Sequence, residues 1–436
     1  MTGRNDWSSA LGLDNRSFFY PSVSGSWVIS DMITKTGGSL PSWLSFAKLR
    51  GSYAEVGNDL PSFQLYNVYN IGKDPYGNTT AGMGNTKYNP GILSELIKTV
   101  KFGFDTRLFN SRLGLDFAWY KTNPTNQLID LPMNPYSGYE YEKINAGNIQ
   151  NSGFEIVLDG RILTNKDQLT WNSSLNFSRN RNKIISLADK VNMYSLGSYD
   201  NISIRAIEGG LYGDIYGTKF LRVEDPNSEF NGQLILNGSG LPQAASGLHK
   251  LGNQAPKALV GWNNNFAYKN FGLSFQVDGR FGGEFFSGTN LNLQANGSAA
   301  VTAPNGERNP FVVDGVIASN GTYTKNRVQT TQQLYWTQVT STSGNYGITE
   351  QNVYDATNIR LRNVTLSYNF PKNILGNSIV QRAKVSLTAN NVWMIKSYAN
   401  GIDPESVFAI NSNATGFENF STPTSRSFFL NVTLGF

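Results

Sequence analysis

The chain has 436 residues, a formal net charge of +5 and no cysteine. No basic run is present to track a phosphate backbone, so nucleic acid is not a partner, and neither a disulfide framework nor a thiolate metal site can form. Mean hydropathy is −0.33 and no run of about 18 apolar residues occurs, which excludes helical membrane spans.

Charged residues make up only 15% and aromatics 13%, against about 25% charged in an ordinary soluble domain. That balance suits a surface partly covered by lipid, and strands that alternate apolar and polar residues are invisible to hydropathy averaging. Eleven segments alternate in this way. The first two lie near residues 18–29 and 43–54. Val100, Phe102, Phe104 and Leu108 then turn at Asn110 and Ser111 into Leu113, Leu115, Phe117 and Trp119. Phe154, Ile156 and Leu158 lead across residues 163–167 to Leu169, Trp171, Leu175 and Phe177, with Thr170, Asn172, Ser174, Asn176 and Ser178 on the opposite face. Ala258, Val260, Trp262, Phe266 and Tyr268 meet Phe271, Leu273, Phe275, Val277 and Phe281 at a tight Lys269-Asn270 connection, a hairpin signal. Residues 357–370 and 379–391 follow. The last segment carries Phe428, Leu430, Val432, Leu434 and Phe436 on one face, which reads as a barrel-assembly signal for the barrel-assembly machinery.

Each segment is predicted to run about 9 to 13 residues, enough to cross a bilayer when tilted. Counting back from Phe436, long connections alternate with short ones, as outer loops and inner turns do. The polar stretch 282–356 is too long for a connection inside a compact soluble domain. These features predict an all-β, antiparallel transmembrane β-barrel over residues 1–436. Eleven is an odd count where bacterial barrels are even, so a strand is missing, and its expected place is before Met1. A further pair is considered within 211–236, where Ile215 to Phe220 looks extended. The start lacks the charged and apolar regions of a secretory signal. We therefore expect the C-terminal part of a larger barrel, with unpaired edges that keep it from folding stably alone.

Several short motifs carry a family resemblance. Asn148-Ile149-Gln150-Asn151-Ser152-Gly153-Phe154-Glu155 and Leu175-Asn176-Phe177-Ser178-Arg179-Asn180-Arg181-Asn182-Lys183 resemble the middle of SusC/RagA-type TonB-dependent transporters. Leu361-Arg362-Asn363-Val364-Thr365-Leu366-Ser367-Tyr368-Asn369-Phe370-Pro371, Asn390-Asn391-Val392-Trp393, Gly401-Ile402-Asp403-Pro404-Glu405 and Ser425-Arg426-Ser427-Phe428 follow in that family's order. Tyr20-Pro21-Ser22-Val23-Ser24 and Leu49-Arg50-Gly51-Ser52-Tyr53 extend the likeness toward the start. The resemblance implies the back half of a plugged barrel of about 22 strands, with the plug domain absent here. It also implies the outer membrane of a Gram-negative, Bacteroidetes-like cell, import of a glycan or peptide, a SusD-like surface lipoprotein as partner, and TonB acting through the N-terminal part.

Ligand contacts from outer loops are expected at Tyr136, Tyr139, Tyr141, Tyr194, Tyr199, Tyr335 and Trp336, because aromatic faces stack on sugar rings and apolar side chains alike. Loop packing or an interfacial girdle is the competing reading. Chemistry finds no foothold. His249 is the only histidine, so no zinc cluster can be assembled, and neither a nucleophile elbow nor a phosphate-binding loop is present. Asp403 and Glu405 form a carboxylate pair, but with Pro404 between them a structural turn is the better reading, with a cation site as the lesser one for Asp403. The sequence thus predicts no enzyme, no cofactor and no metal. The rival functions are a passive porin and a soluble all-β carbohydrate-binding protein.

Overall fold

The computed structural model describes residues 1–165, 168–188, 191–342, 345–376, 378–408 and 412–436. Twelve antiparallel strands follow one another in a single up-and-down sheet. They are β1 (Thr2–Trp7), β2 (Ser17–Val28), β3 (Leu44–Asn58), β4 (Glu95–Leu108), β5 (Leu113–Pro132), β6 (Tyr141–Thr164), β7 (Leu169–Ser186), β8 (Ala258–Tyr268), β9 (Phe271–Phe281), β10 (Asn358–Phe370), β11 (Arg382–Ser397) and β12 (Ser427–Gly435). Each pairs with its sequence neighbour, and only the short Thr86–Lys87 strand, parallel to the start of β6, lies off this path. Among the described residues no pairing joins β1 to β12. The architecture is therefore the predicted antiparallel barrel wall.

All eleven predicted segments are strands of this sheet. The twelfth is β1, which pairs with β2 from Thr2↔Ser22 to Trp7↔Ser17. The neighbour expected for the first predicted segment thus lies inside the chain, at Thr2–Trp7. Its sequence, Thr-Gly-Arg-Asn-Asp-Trp, has one large apolar residue, so alternation could not announce it. A second correction concerns length. β5 and β6 run for 20 and 24 residues, because their polar upper halves continue to pair, up to Pro132↔Tyr141, beyond the height a bilayer requires. The strand Tyr212–Gly217, near the segment considered for the barrel, belongs instead to a separate sheet.

Connections alternate as expected. One end carries the long segments 59–94, 187–257, 282–357 and 398–426, and the other the short turns 109–112 and 269–270 and the few residues between Thr164 and Leu169. In outer-membrane barrels long loops are extracellular and short turns periplasmic. The tight turns use left-handed backbone at Asn110 (φ 56°), Ser111 (φ 60°) and Lys269 (φ 51°).

Register lines the apolar residues into outward rows that cross many strands. Leu430, Leu387, Leu366, Leu273, Phe266, Trp171 and Leu163 are successive partners, and so are Val432, Val385, Tyr368, Phe271, Tyr268 and Leu169. A period of two delivers this lipid face only if every strand keeps register, since a one-residue slip turns all its side chains over. At the next outward level beyond the first row sit two polar residues, Asn264 and Ser173, opposite one another. Each is met by an indole: Trp171 Nε1 donates to Asn264 Oδ1 at 2.9 Å, and Trp262 Nε1 donates to Ser173 Oγ at 2.9 Å. Stacking of Trp171 on Phe266 and an edge contact of Trp262 with Phe275 close over the pair, so Asn264 is 1% exposed.

This clasp generates a prediction. Trp171→Phe leaves the Asn264 carbonyl unpaired in an apolar setting and should cost about 1–3 kcal/mol. Adding Asn264→Leu should restore most of the loss, measured by urea unfolding of the protein folded into lipid vesicles.

Candidate functional site at the extracellular mouth

Three long loops fold into one body over the wall. Residues 187–257 contribute a four-stranded sheet of Met193–Tyr199, Ile202–Ile207, Tyr212–Gly217 and His249–Asn253. Ile202, Ile204 and Ile215 of this sheet pack with Phe286 and Leu291 from 282–357 and with Ala414 and Phe417 from 398–426. Each fully buried isoleucine contributes about 2 kcal/mol of hydrophobic stabilisation. Polar contacts fix the same junction. Ser287 Oγ and Thr289 Oγ1 donate to the Glu418 carboxylate at 2.6 and 2.5 Å. The Gln254 side chain donates to Asn413 O and accepts from Gly416 N. A second core, of Phe220, Trp336, Val339 and Ile348, ties 187–257 to 282–357.

Beneath the loop sheet lies a cavity of about 440 Å³. Its floor is the lumenal face of β5, β6 and β7, including Gln127, Asn151 and Asn182, and its roof is formed by Tyr194, Tyr212 and Asn413. Roof and floor touch where Tyr212 N donates to Asn182 Oδ1 at 2.7 Å. Burial, with the neighbouring Tyr194, pushes the Tyr212 phenol up to about 12, against a hydrogen bond with Asn413. Glu95 is the one ionisable acid in the lining, and no Lys or Arg contributes. Its oxygens are already taken by Leu128 N at 3.0 Å and Asn58 Nδ2 at 2.8 Å. The remaining polar groups are carboxamides and phenols, set among apolar side chains such as Leu128, Ile149 and Leu196, a mixed lining suited to an uncharged ligand with donors, acceptors and apolar surface.

Below the mouth, Asp403 and Glu405 join a latch. Arg360, 5% exposed, pairs with Asp403, and Arg362 bonds both Glu405 and Asp278 at 2.5 Å. Asp403 also accepts from Thr424 N at 3.0 Å, Thr424 Oγ1 at 2.7 Å and Glu405 N at 3.0 Å. The carboxylate pair thus fastens residues 398–426 to β10. Burial raises the Asp403 carboxyl, but Arg360 and these donors outweigh it and hold it well below the usual carboxylate range.

The sequence-selected aromatics scatter over this assembly. Tyr194 lines the cavity. Tyr136 is 99% exposed at the tip of the β5–β6 hairpin. Tyr139 reaches Met83 Sδ at 3.4 Å, and Tyr141 sits at the start of β6. Tyr199 packs on Tyr346 and Phe408. Tyr335 lies edge-on to Trp336, whose ring is buried in the second loop core. His249 begins a strand of the loop sheet, with Nε2 3.0 Å from Ser246 O. Sequence reasoning missed Tyr212, Gln127, Asn182 and Asn413. The Tyr212-Gly213 step opening a strand was a signal for the first; tertiary structure alone unites the others.

No family model matches the chain. It is 28% identical to TonB-dependent receptor P3 of Formosa agariphila, over all of this chain and 44% of that protein. TonB-dependent receptors P26 and P39 of the same organism match at 28% and 26% identity, again over 44% of their length. The chain thus spans less than half of the relatives it matches. Among solved structures it is similar to the RagAB peptide transporter, with a TM-score of 0.75 at 21% identity over 99% of this chain and 45% of that one. The open-open state of the RagAB peptide importer gives 0.73 at 21% identity, over 100% and 44%.

Removing one partner of the buried latch leaves an uncompensated charge, so Arg360→Met should cost about 3–5 kcal/mol and open 398–426 to limited proteolysis. Because the folded Asp403 pKa is depressed, its stabilisation is complete above the unfolded value and fades only as pH falls through the folded one. The wild-type latch should therefore stay protease-resistant at about pH 4, near the ordinary Asp value.

Proposed function

We propose that this chain, similar over its whole length to TonB-dependent receptors and in fold to the RagAB peptide transporter, forms part of the channel wall and extracellular mouth of an outer-membrane importer for a bulky nutrient. The observation that carries this reading is the cavity between the lumenal face of β5–β7 and the roof of interlocked loops, lined by carboxamides, phenols and apolar side chains with one already engaged carboxylate. The cargo is an oligosaccharide or a peptide, held by carboxamides and phenols, with no bond made or broken. Tyr194 and Tyr212 supply stacking surface and hydroxyls; Tyr136 at the exposed hairpin tip is placed for first encounter. Tyr199, Tyr335 and Trp336 act in packing the loop body, and Tyr139 and Tyr141 in shaping the hairpin base. A SusD-like surface lipoprotein delivers the cargo onto the loop body, and TonB energises passage through the N-terminal part of the receptor.

A passive porin is the second reading. Against it stands the folded loop body packed over the lumenal face of β5–β7, where an open pore needs a clear lumen. The soluble carbohydrate-binding alternative requires a second layer over the apolar rows, and no such layer covers Leu430, Leu387 and Leu366, which are 69%, 52% and 54% exposed.

Two measurements test the proposal. Tyr212→Ala and Tyr194→Ala should each weaken binding of neutral oligosaccharides or peptides by about tenfold, or ~1.4 kcal/mol, in calorimetry on the purified receptor, while Leu387→Ala on the lipid face leaves it unchanged. Uptake in cells should stop when TonB is deleted. Undiminished flux without TonB sinks the importer and supports the porin.

A further inference from the structure

The register also places a row of cations where no lumenal function can use them. On β7, Asn182 faces inward, since it bonds the loop residue Tyr212, and Ile184 is fully buried beneath the same loops. Arg179, Arg181 and Lys183 must then project from the opposite face, on the side of Leu175 and Phe177. Cross-strand pairs extend this face. Arg179 lies opposite Phe154, which lies opposite Trp119; Arg181 lies opposite Ser152, which lies opposite Lys121. Lys98 on β4 continues the stripe, opposite Glu55.

Depth fixes what these charges meet. The outward residues of β7 are apolar or capped from Leu169 to Phe177, about 26 Å along the strand and about 20 Å of membrane depth at a 40° tilt. Cations begin at the next outward position, and on β5 the switch from Trp119 to Lys121 comes at the neighbouring level. The stripe therefore stands at the extracellular edge of the apolar band, facing the headgroups. All five side chains are exposed. Among the described residues Lys121, Arg179, Arg181 and Lys183 have no ion-pair partner, and Lys98 is 3.9 Å from Glu55. Three like charges at alternate positions of one strand stand about 7 Å apart and destabilise the face unless an anion joins them. Lys121 and Arg181, two strands apart across Ser152, are separated by about 10 Å, which leaves room for one phosphate-bearing headgroup between them.

We propose that Lys121, Arg179, Arg181 and Lys183, with Lys98 beside them, form a binding site on the outer wall for the phosphate-bearing headgroup of an outer-leaflet lipid. The arginine forks take the phosphate oxygens bidentately, and Trp119 and Phe154 lie against the acyl chains below. The site is separate from the import cavity and stands whether or not the cargo proposed above is right.

The test reconstitutes the receptor carrying this sequence into phosphatidylcholine nanodiscs with and without phosphatidylglycerol, and reads lipid binding by native mass spectrometry and thermal shift. Near a membrane surface each cation is worth about fivefold in affinity, so Arg179→Gln/Arg181→Gln/Lys183→Gln should weaken phosphatidylglycerol retention by about a hundredfold. Arg179→Lys/Arg181→Lys should recover most of it, and the lumenal Lys101→Gln should leave it unchanged. Inorganic phosphate alone should not displace the lipid at matched concentration. Wild-type retention by the triple glutamine variant overturns the site, as does a loss confined to binding of an acidic soluble protein with lipid retention intact.

Discussion

In hydrocarbon no water is available to a backbone N–H or C=O, so each must be paired within the protein. Everything else in this wall follows from that requirement. A continuous antiparallel meander satisfies it with short turns at one end, and the pleat then forces side chains to alternate between acyl chains and lumen. On the lipid side the indoles of Trp171 and Trp262 each donate to a polar neighbour, Asn264 and Ser173. The same geometry disciplines the lumenal side. A Cβ at Gly153 would stand 2.3 Å from Arg179 O and 2.7 Å from the Tyr120 hydroxyl, so that position takes no side chain.

Above the membrane the rules change, and so does the sequence. The loops bury their own apolar side chains against one another, with carboxylates such as Glu418 and Asp403 fully engaged by hydroxyls or arginine. The result is a folded roof whose underside leaves carboxamides and phenols facing the lumen. The roof of the cavity is thus set by tertiary packing of loops, and the strands supply its floor.

The strands were legible because a lipid face writes period two directly into the chain, from Phe102 to Leu434. Where lipid is absent the signal fades. β1 carries almost no apolar residue, and the upper halves of β5 and β6 scatter Leu128, Ile129, Ile144 and Ile149 among polar residues without a steady period of two, so the first was missed and the others were read too short. The roof was visible only as long polar segments, since Ile204, Leu291 and Phe417 meet from three distant stretches. Tyr194, one of the loop aromatics the sequence singled out, lies in the cavity lining; Tyr212 and Asn182 drew no notice in the sequence, because only a folded loop brings them together. Asp403 and Glu405 were read as a structural bend, and their arginine partners on β10 supply the reason.

The seven-residue junction of Ile202, Ile204, Ile215, Phe286, Leu291, Ala414 and Phe417 draws side chains from three separate connections. No one of those connections can swing aside without stripping apolar surface from the other two. The three connections are therefore one mechanical unit, and a substitution in any one segment will be felt in the packing of the other two.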